Sequence, residues 1–310
     1  MNRETRLATI AALIGNSVFG FSFMFSRIAL GIAPPFVMLM YRFIGAFLGM
    51  SVLALWSCAF SVGRRSEGDR IHSMRFDLRG RRIAPLVALG VVQPVLYFLC
   101  ESYGISMTNS TFAGVIIALV PIAALFLGTL FLHERPARMQ VLYSLLSIAG
   151  VVMMTMMQSA EGEIRPLGVA LLFGAVLTGV SFNIISRKIS TQYSALERTY
   201  VMMLVAAVSF TGLAAVSTGF DVQALLAPLA SAPFMLAIVY LAIVSSVLAF
   251  LMLNYASNYL PVAKTTAFCN LTTVISLLAG VVFLGEPFGA VSLIASAMIV
   301  LGIWGVQKAA

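Results

Sequence analysis

Residues 98–134, FLCESYGISMTNSTFAGVIIALVPIAALFLGTLFLHE, return in outline 152 positions later as residues 250–286, FLMLNYASNYLPVAKTTAFCNLTTVISLLAGVVFLGE. Nine of the 37 aligned positions are identical without a gap, among them Phe98-Leu99 with Phe250-Leu251, Tyr103 with Tyr255, Gly128 with Gly280, and Phe131-Leu132-x-Glu134 with Phe283-Leu284-x-Glu286. Shared apolar composition accounts for about a third of such matches, so the stretch reads as an internal repeat. A second offset, of 160 residues, lays Ser26-Arg27 over Ser186-Arg187 and carries the repeat back to the first apolar segment of the chain.

The composition around this stretch names the solvent. Of 310 residues, 61% are hydrophobic and 10% charged, whereas soluble domains hold about 45–50% apolar and about 25% charged residues. A mean hydropathy of +1.02 makes lipid the main solvent. It excludes a water-soluble globule, a disordered chain, a disulfide scaffold and a repeat solenoid. Cys58, Cys100 and Cys269 all lie in apolar runs and read as free buried thiols, with neither a disulfide nor a metal site.

A helix crosses hydrocarbon roughly 30 Å thick with about 20 apolar residues. Ten segments qualify, near 8–29, 35–61, 83–104, 109–132, 138–157, 167–186, 198–218, 234–258, 263–284 and 288–307. Turn and charge signals separate them: Pro34-Pro35, the basic loop 63–82, His133-Glu134-Arg135-Pro136, Glu161-Gly162-Glu163, Arg187-Lys188, Asp221 and Gly285-Glu286-Pro287. Most connections are short, so neighbouring spans form antiparallel hairpins. The first apolar run is full length, which predicts a retained first span rather than a removable signal peptide.

The net charge of +8 would suggest nucleic acid in a soluble protein. Here seven arginines (Arg64, Arg65, Arg70, Arg75, Arg79, Arg81, Arg82) crowd one loop that has no aromatic stacking platform. With the N-terminus inside, cytoplasmic segments hold sixteen basic residues: Arg3, Arg6, those seven, Arg135, Arg138, Arg187, Lys188, Arg198, Lys264 and Lys308. Outer segments hold two, Arg27 and Arg165. The positive-inside rule therefore predicts a multi-pass protein of the plasma (inner) membrane with both termini cytoplasmic, and no nucleic-acid partner.

The two offsets pair span 1 with 6, 4 with 9 and 5 with 10, so the repeat unit is five spans. The units are residues 1–160, which include the basic loop, and 161–310. An odd number of spans turns the second copy upside down. An all-α membrane protein of ten helices in two inverted-topology halves around a central cavity is the fold expected, and alternating access is the function that uses such symmetry.

The ten spans, the five-plus-five repeat and the acidic turns closing span 4 (Phe131-Leu132-His133-Glu134-Arg135-Pro136) and span 9 (Phe283-Leu284-Gly285-Glu286-Pro287) resemble the EamA-type branch of the drug/metabolite transporter superfamily. The resemblance covers nearly the whole chain. It implies a basket of helices whose cavity is lined by spans 1–4 and 6–9, with spans 5 and 10 peripheral. It also implies transport of amino acids, nucleotide-linked compounds, drugs or other small metabolites. Pro121, placed mid-span in span 4, has Thr273 as its repeat mate, so that proline supplies no hinge common to both halves.

Two strongly charged residues lie inside apolar spans, where each costs about 2.5–3.5 kcal/mol at the bilayer centre. Glu101 sits roughly 27 Å along span 3 and Arg42 about 11 Å into span 2 by the helical rise. Both fall in the same half of the membrane, where an ion pair is geometrically reasonable. Gln93, Tyr97 and Glu101 are spaced by four and predict one inward stripe. Glu101 is then a carboxylate for an amine group, a proton carrier, or a salt-bridge partner of Arg42. Arg42 is either an anchor for a substrate anion or a paired or snorkelling side chain. Asn16, Asn183, Thr266 and Asn270 add polar groups where a cavity belongs and complete the candidate substrate-binding set. Asn254 and Asn258 in span 8 read as helix glue or gate, and Lys264 as a headgroup anchor.

No catalytic constellation accompanies these residues. His72 and His133 lie in loops, the His133-Glu134 turn lacks a second metal-binding histidine, and no phosphate-binding loop is present to use ATP. The expectation is a secondary active or exchange transporter, more an exporter than an importer, without a cofactor or metal. It would move a small organic metabolite such as an amino acid, an amine or a drug-like compound across the bilayer. A coupled proton or counter-substrate and a homodimer are compatible with it. The alternative from another class is a receptor-like or scaffolding membrane protein that transports nothing.

Overall fold

A computed structural model describes residues 3–60, 76–78, 80–108, 116–133, 136–156, 165–284 and 289–309. Among the described residues every regular element is helical. The helix α1 covers Arg3–Leu30 and α2 covers Pro35–Phe60, opened by a proline whose missing N–H is no loss in a first turn. The third helix, α3, is made of Ala84–Gly90, a kinked stretch Val91–Leu96 and Tyr97–Ser106. Then follow α4 (Val120–Leu132), α5 (Arg138–Thr155), α6 (Pro166–Ile189) and α7 (Ala195–Ser217). A short helix, Val222–Leu226, and a 3₁₀ turn, Ala227–Ala230, precede the long helix α8, which joins Ala232–Val239, a π-helical stretch Tyr240–Ala249 and Phe250–Tyr259. Val262–Ala267, a 3₁₀ turn Phe268–Asn270 and Leu271–Leu284 make α9, and Ala290–Lys308 is α10.

Eight of these helices are long and apolar enough to cross a membrane, which makes this a multi-pass membrane protein. The other two, α4 and α5, were expected as full spans; the described residues give Val120–Leu132 for α4 and Arg138–Thr155 for α5. Pro121 explains the start of α4. Helical residues 116–117 give way to a turn at 118–119, and Pro121 sits in the first turn of the helix that resumes, where its missing N–H costs no hydrogen bond. Residues 109–115 of the expected span lie outside the described residues, as do Arg64, Arg65, Arg70, Arg75, Arg79, His72, Glu134, Arg135 and Glu286.

The helices pack in a regular exchange: α2 on α7, α5 on α10, α3 on α6, α1 on α8 and α9, and α4 on α6 and on the start of α9. The main core lies between α2, α7 and α8, where Phe43 and Phe210 stack with ring centroids 5.3 Å apart. Small residues set the closest approach, α5 against α10. A Cβ added at Gly302 would stand 2.6 Å from the Tyr143 carbonyl oxygen, which only glycine tolerates.

Hydrogen bonds identify which helix ends share a face. Lys264, at the start of α9, donates to the Gln307 carbonyl at 2.9 Å, and Gln307 Nε2 returns a bond to the Lys264 carbonyl at 2.7 Å. Lys264 therefore ties two helix ends together instead of reaching for headgroups. Gln140, at the start of α5, donates to the Ala309 carbonyl at 3.1 Å. Tyr193, in the α6–α7 turn, donates to the Arg82 carbonyl just before α3 at 2.6 Å. Ala8 and Ala12 of α1 pack with Ala256 and Leu260 near the end of α8. This end of the bundle, with α1 beginning and α10 ending on it, is the terminal face. At the opposite, distal face the Arg165 N–H before α6 donates to the Met107 carbonyl after α3 at 3.0 Å, and Tyr41 of α2 donates to the Leu225 carbonyl at 3.0 Å.

Candidate functional site

The stripe expected on α3 is only partly formed. Pro94 has no N–H to donate, and Gln93 before it leaves the helical region with φ −145° and ψ 126°. Gln93 therefore does not lie in helical register with the residues after the break. Its Oε1 is buried and lacks a hydrogen-bond partner. Beyond the break helical spacing resumes, and Tyr97 donates its hydroxyl to Glu101 Oε1 at 2.9 Å. The Tyr97 ring stands edge-on to Phe98 and faces Gly179 of α6, whose missing side chain leaves room for it.

Arg42 is 3% exposed and does not form the ion pair with Glu101. Its Nε donates to Ser246 Oγ at 2.8 Å and its Nη2 to Ser245 Oγ at 3.0 Å, both serines in the π-helical stretch of α8. Two consecutive serines reach one guanidinium because the wider π turn brings neighbouring positions toward one face. The guanidinium carbon also lies 5.1 Å from the centroid of Phe98, within cation–π range. Phe98 and Glu101 are three residues apart on α3 and so share a face. Arg42, Tyr97 and Glu101 thus converge where α2, α3 and α8 meet. A cation hydrogen-bonded to neutral oxygens and a carboxylate hydrogen-bonded to a phenol stand within electrostatic reach of each other.

The remaining polar candidates do other things. Asn16 donates to the Ala12 carbonyl at 2.8 Å and Asn183 to the Gly179 carbonyl at 2.9 Å, both within their own helices. Thr266 does the same toward Val262 at 2.8 Å. Asn270 instead crosses to α5, donating to Ser147 Oγ at 3.0 Å. These four are buried but are not drawn into hydrogen bonds with the Arg42–Glu101 group. Cys100 and Cys269 are free thiols.

A buried cluster that sequence reasoning missed lies at the terminal face. Arg198, counted above only as an orientation charge, is completely buried near the start of α7. Its Nη1 donates to the Ser186 carbonyl (2.8 Å), Ser186 Oγ (2.6 Å) and Ser257 Oγ (2.8 Å), and its Nη2 to the Asn254 carbonyl (2.6 Å) and to Asn258 Oδ1. The available signal was the run Asn254, Ser257, Asn258, which puts three polar groups on one face at the end of α8.

The chain matches the model of the EamA-like transporter family twice, over residues 6–156 and 166–307. It is 29% identical over 301 residues to "Uncharacterized transporter YcxC" of Bacillus subtilis (strain 168), covering 96% of this chain and 92% of that one. It is 28% identical over 267 residues to a "Probable terminal-alkyne amino-acid exporter" of Streptantibioticus cattleyicolor, covering 85% and 84% respectively. A solved structure described only as a crystal structure of a protein superposes with a TM-score of 0.76 over 97% of this chain and 96% of that one, at 18% identity, and so shares the fold. Two matches that together take in nearly all of the chain place it in the EamA-like transporter family, within the drug/metabolite transporter superfamily.

Proposed function

We propose that this chain is a secondary active or exchange transporter that moves a small organic metabolite by alternating access, working as an exporter in the plasma membrane with both termini cytoplasmic. The observation that carries the reading is the meeting of Arg42, Tyr97 and Glu101 between α2, α3 and α8. Membrane interiors keep such charges where they serve substrates or ions. Glu101 takes an amine or a proton in this scheme, Arg42 takes an anionic group, and Gln93, with its unsatisfied Oε1, adds an acceptor. Asn16, Asn183, Thr266 and Asn270 are assigned to the walls of the path.

The two halves, 1–160 and 161–310, are proposed as inverted repeats of five spans each around that path. Three observations support this. The family model matches once in each half. The packing list maps onto itself when each helix is exchanged for the one five places on: α1 on α8 becomes α6 on α3, and α1 on α9 becomes α6 on α4. Departures from α-helical geometry also recur at equivalent places, a kink at Gln93 in α3 and a π-helical stretch in α8.

Purified protein in liposomes tests the function. Counterflow of at least one member of a panel of amino acids, amines and amphipathic drugs is expected, driven by a substrate or proton gradient and not by ATP. Binding without movement of any panel member would instead support a receptor-like protein.

A further inference from the structure

The α6–α7 turn carries two adjacent buried charges that the Arg42–Glu101 site does not use. Glu197 is 3% exposed and Arg198 is wholly buried. They hold different helices.

Arg198 grips the end of α8. Its partners Asn254, Ser257 and Asn258 lie in the last two turns of that helix, and Arg187 of α6 joins it by donating to the Ser257 carbonyl at 3.0 Å and the Asn258 carbonyl at 2.7 Å. Carbonyls at a helix C-terminus have no helical donor and carry the negative end of the helix dipole, so a guanidinium suits them on both counts. The rest of the cluster is cross-linked, with Ser186 Oγ donating to Asn254 Oδ1 at 2.7 Å and Asn254 Nδ2 donating to Thr199 Oγ1 at 3.0 Å. A buried cation whose hydrogen-bond acceptors are all neutral is costly to strip of them.

Glu197 grips the approach to α3. Its Oε2 accepts the Ser194 N–H at 2.8 Å, closing the capping box of α7, and lies 3.5 Å from Arg81 Nη1. Its Oε1 accepts the Asp77 N–H at 3.0 Å. Phe76 packs on Tyr200 with centroids 4.8 Å apart. Phe76, Asp77 and Arg81 are thereby fastened across the α6–α7 turn just before α3 begins.

Two neighbouring residues thus secure the start of α3 and the end of α8. Those helices are the proposed repeat mates, and they carry Glu101 and the Ser245–Ser246 cradle of Arg42. We propose that Glu197-Arg198 is the bolt of a gate on the terminal face. While both grips are made, α3 and α8 stay together at this end and the route from the site to the terminal face is shut. When Arg198 leaves Asn254, Ser257 and Asn258, α8 swings free. On the distal face the equivalent approach to α8 is tied by the Tyr41–Leu225 hydrogen bond, between two uncharged groups. The proposal rests on the alternating-access reading above.

Hydrogen exchange on the full chain in lipid nanodiscs tests it, read by mass spectrometry alongside liposome counterflow. Arg198→Gln is expected to speed exchange in peptides covering 186–198 and 250–262 at least tenfold, with peptides covering 218–234 unchanged. Asn258→Ala, a milder change that spares the buried charge, is expected to do the same several-fold. Glu197→Gln is expected to loosen 76–90. Unchanged exchange at the terminal face in Arg198→Gln and Asn258→Ala, with counterflow intact, would overturn the gate while leaving the transporter. Equal loosening at both faces would also overturn it, since that is general destabilisation. Wild-type protein that carries no panel member would remove the alternating-access reading itself, and the gate with it.

Discussion

Tyr97 donates its hydroxyl to Glu101 across one turn of α3, at 2.9 Å, in the segment that resumes helical spacing after the Gln93–Pro94 break. The phenol is the only hydrogen-bond donor to that carboxylate among the described residues, and it holds Oε1. If Glu101 carries the proton, Glu101→Gln is expected to abolish pH-driven uptake and leave counterflow exchange intact. Loss of both, measured in the same liposomes, would assign Glu101 to binding or structure instead.

Tyr97→Phe removes that one bond and little volume. A neutral-to-charged hydrogen bond contributes about 1.5–3 kcal/mol, so apparent substrate affinity or proton coupling is expected to weaken by about tenfold or more. Wild-type transport kinetics in this variant would exclude Tyr97 from the site.

Arg42 spans two serines with one planar group while lying against Phe98. Lysine carries its three donors on one rotating nitrogen and cannot reproduce the planar fork. Arg42→Lys is therefore expected to lower counterflow by about tenfold, and the double change Ser245→Ala with Ser246→Ala to lower it similarly. If Arg42→Lys transports like the wild type, the guanidinium is not recognising an anionic group.

The contact of α5 with α10 is a stability feature rather than a transport feature. Gly302→Ala forces a methyl against the Tyr143 carbonyl, 2.6 Å away before relaxation. Overpacking of this kind costs about 1–3 kcal/mol. A lower unfolding temperature in detergent is expected, with the KM for counterflow unchanged in the protein that remains folded.

Asn270 separates two roles. Its amide bridges α9 to Ser147 on α5, and interhelical hydrogen bonds in membranes contribute about 0.6 kcal/mol on average. Asn270→Ala is expected to lower thermal stability slightly. A rise in KM without loss of stability would show that the amide reaches substrate.

Much of the fold was legible because apolar length and the basic loop pattern are long-range statistical features that no single contact overrides. What escaped depended on individual residues. Pro94, in the middle of a clear apolar run, detached Gln93 from the register of Tyr97 and Glu101. Pro121, read as mid-span, follows a turn at 118–119 that interrupts the helical path between residues 116–117 and α4. The Arg42–Glu101 pair was placed correctly in the same neighbourhood, yet each found a different partner, since serine hydroxyls and a phenol cannot be foreseen from charge alone. Arg198 was hidden by its own sequence context: an arginine beside a turn is normally a solvated orientation charge, and only packing revealed it as the largest fully buried side chain.

The π-helical stretch of α8 sets the azimuth of everything downstream of it in that helix. Each residue of an α-helix turns the chain by about 100°, so a wide turn that takes in one extra residue rotates the remainder of the helix by roughly that angle. Deleting one residue between Tyr240 and Ala249 is therefore expected to swing Asn254, Ser257 and Asn258 away from Arg198 toward another quadrant of α8. The fastening of α8 at the terminal face is in this sense a matter of phase, reset by a single insertion or deletion without changing any side chain that makes it.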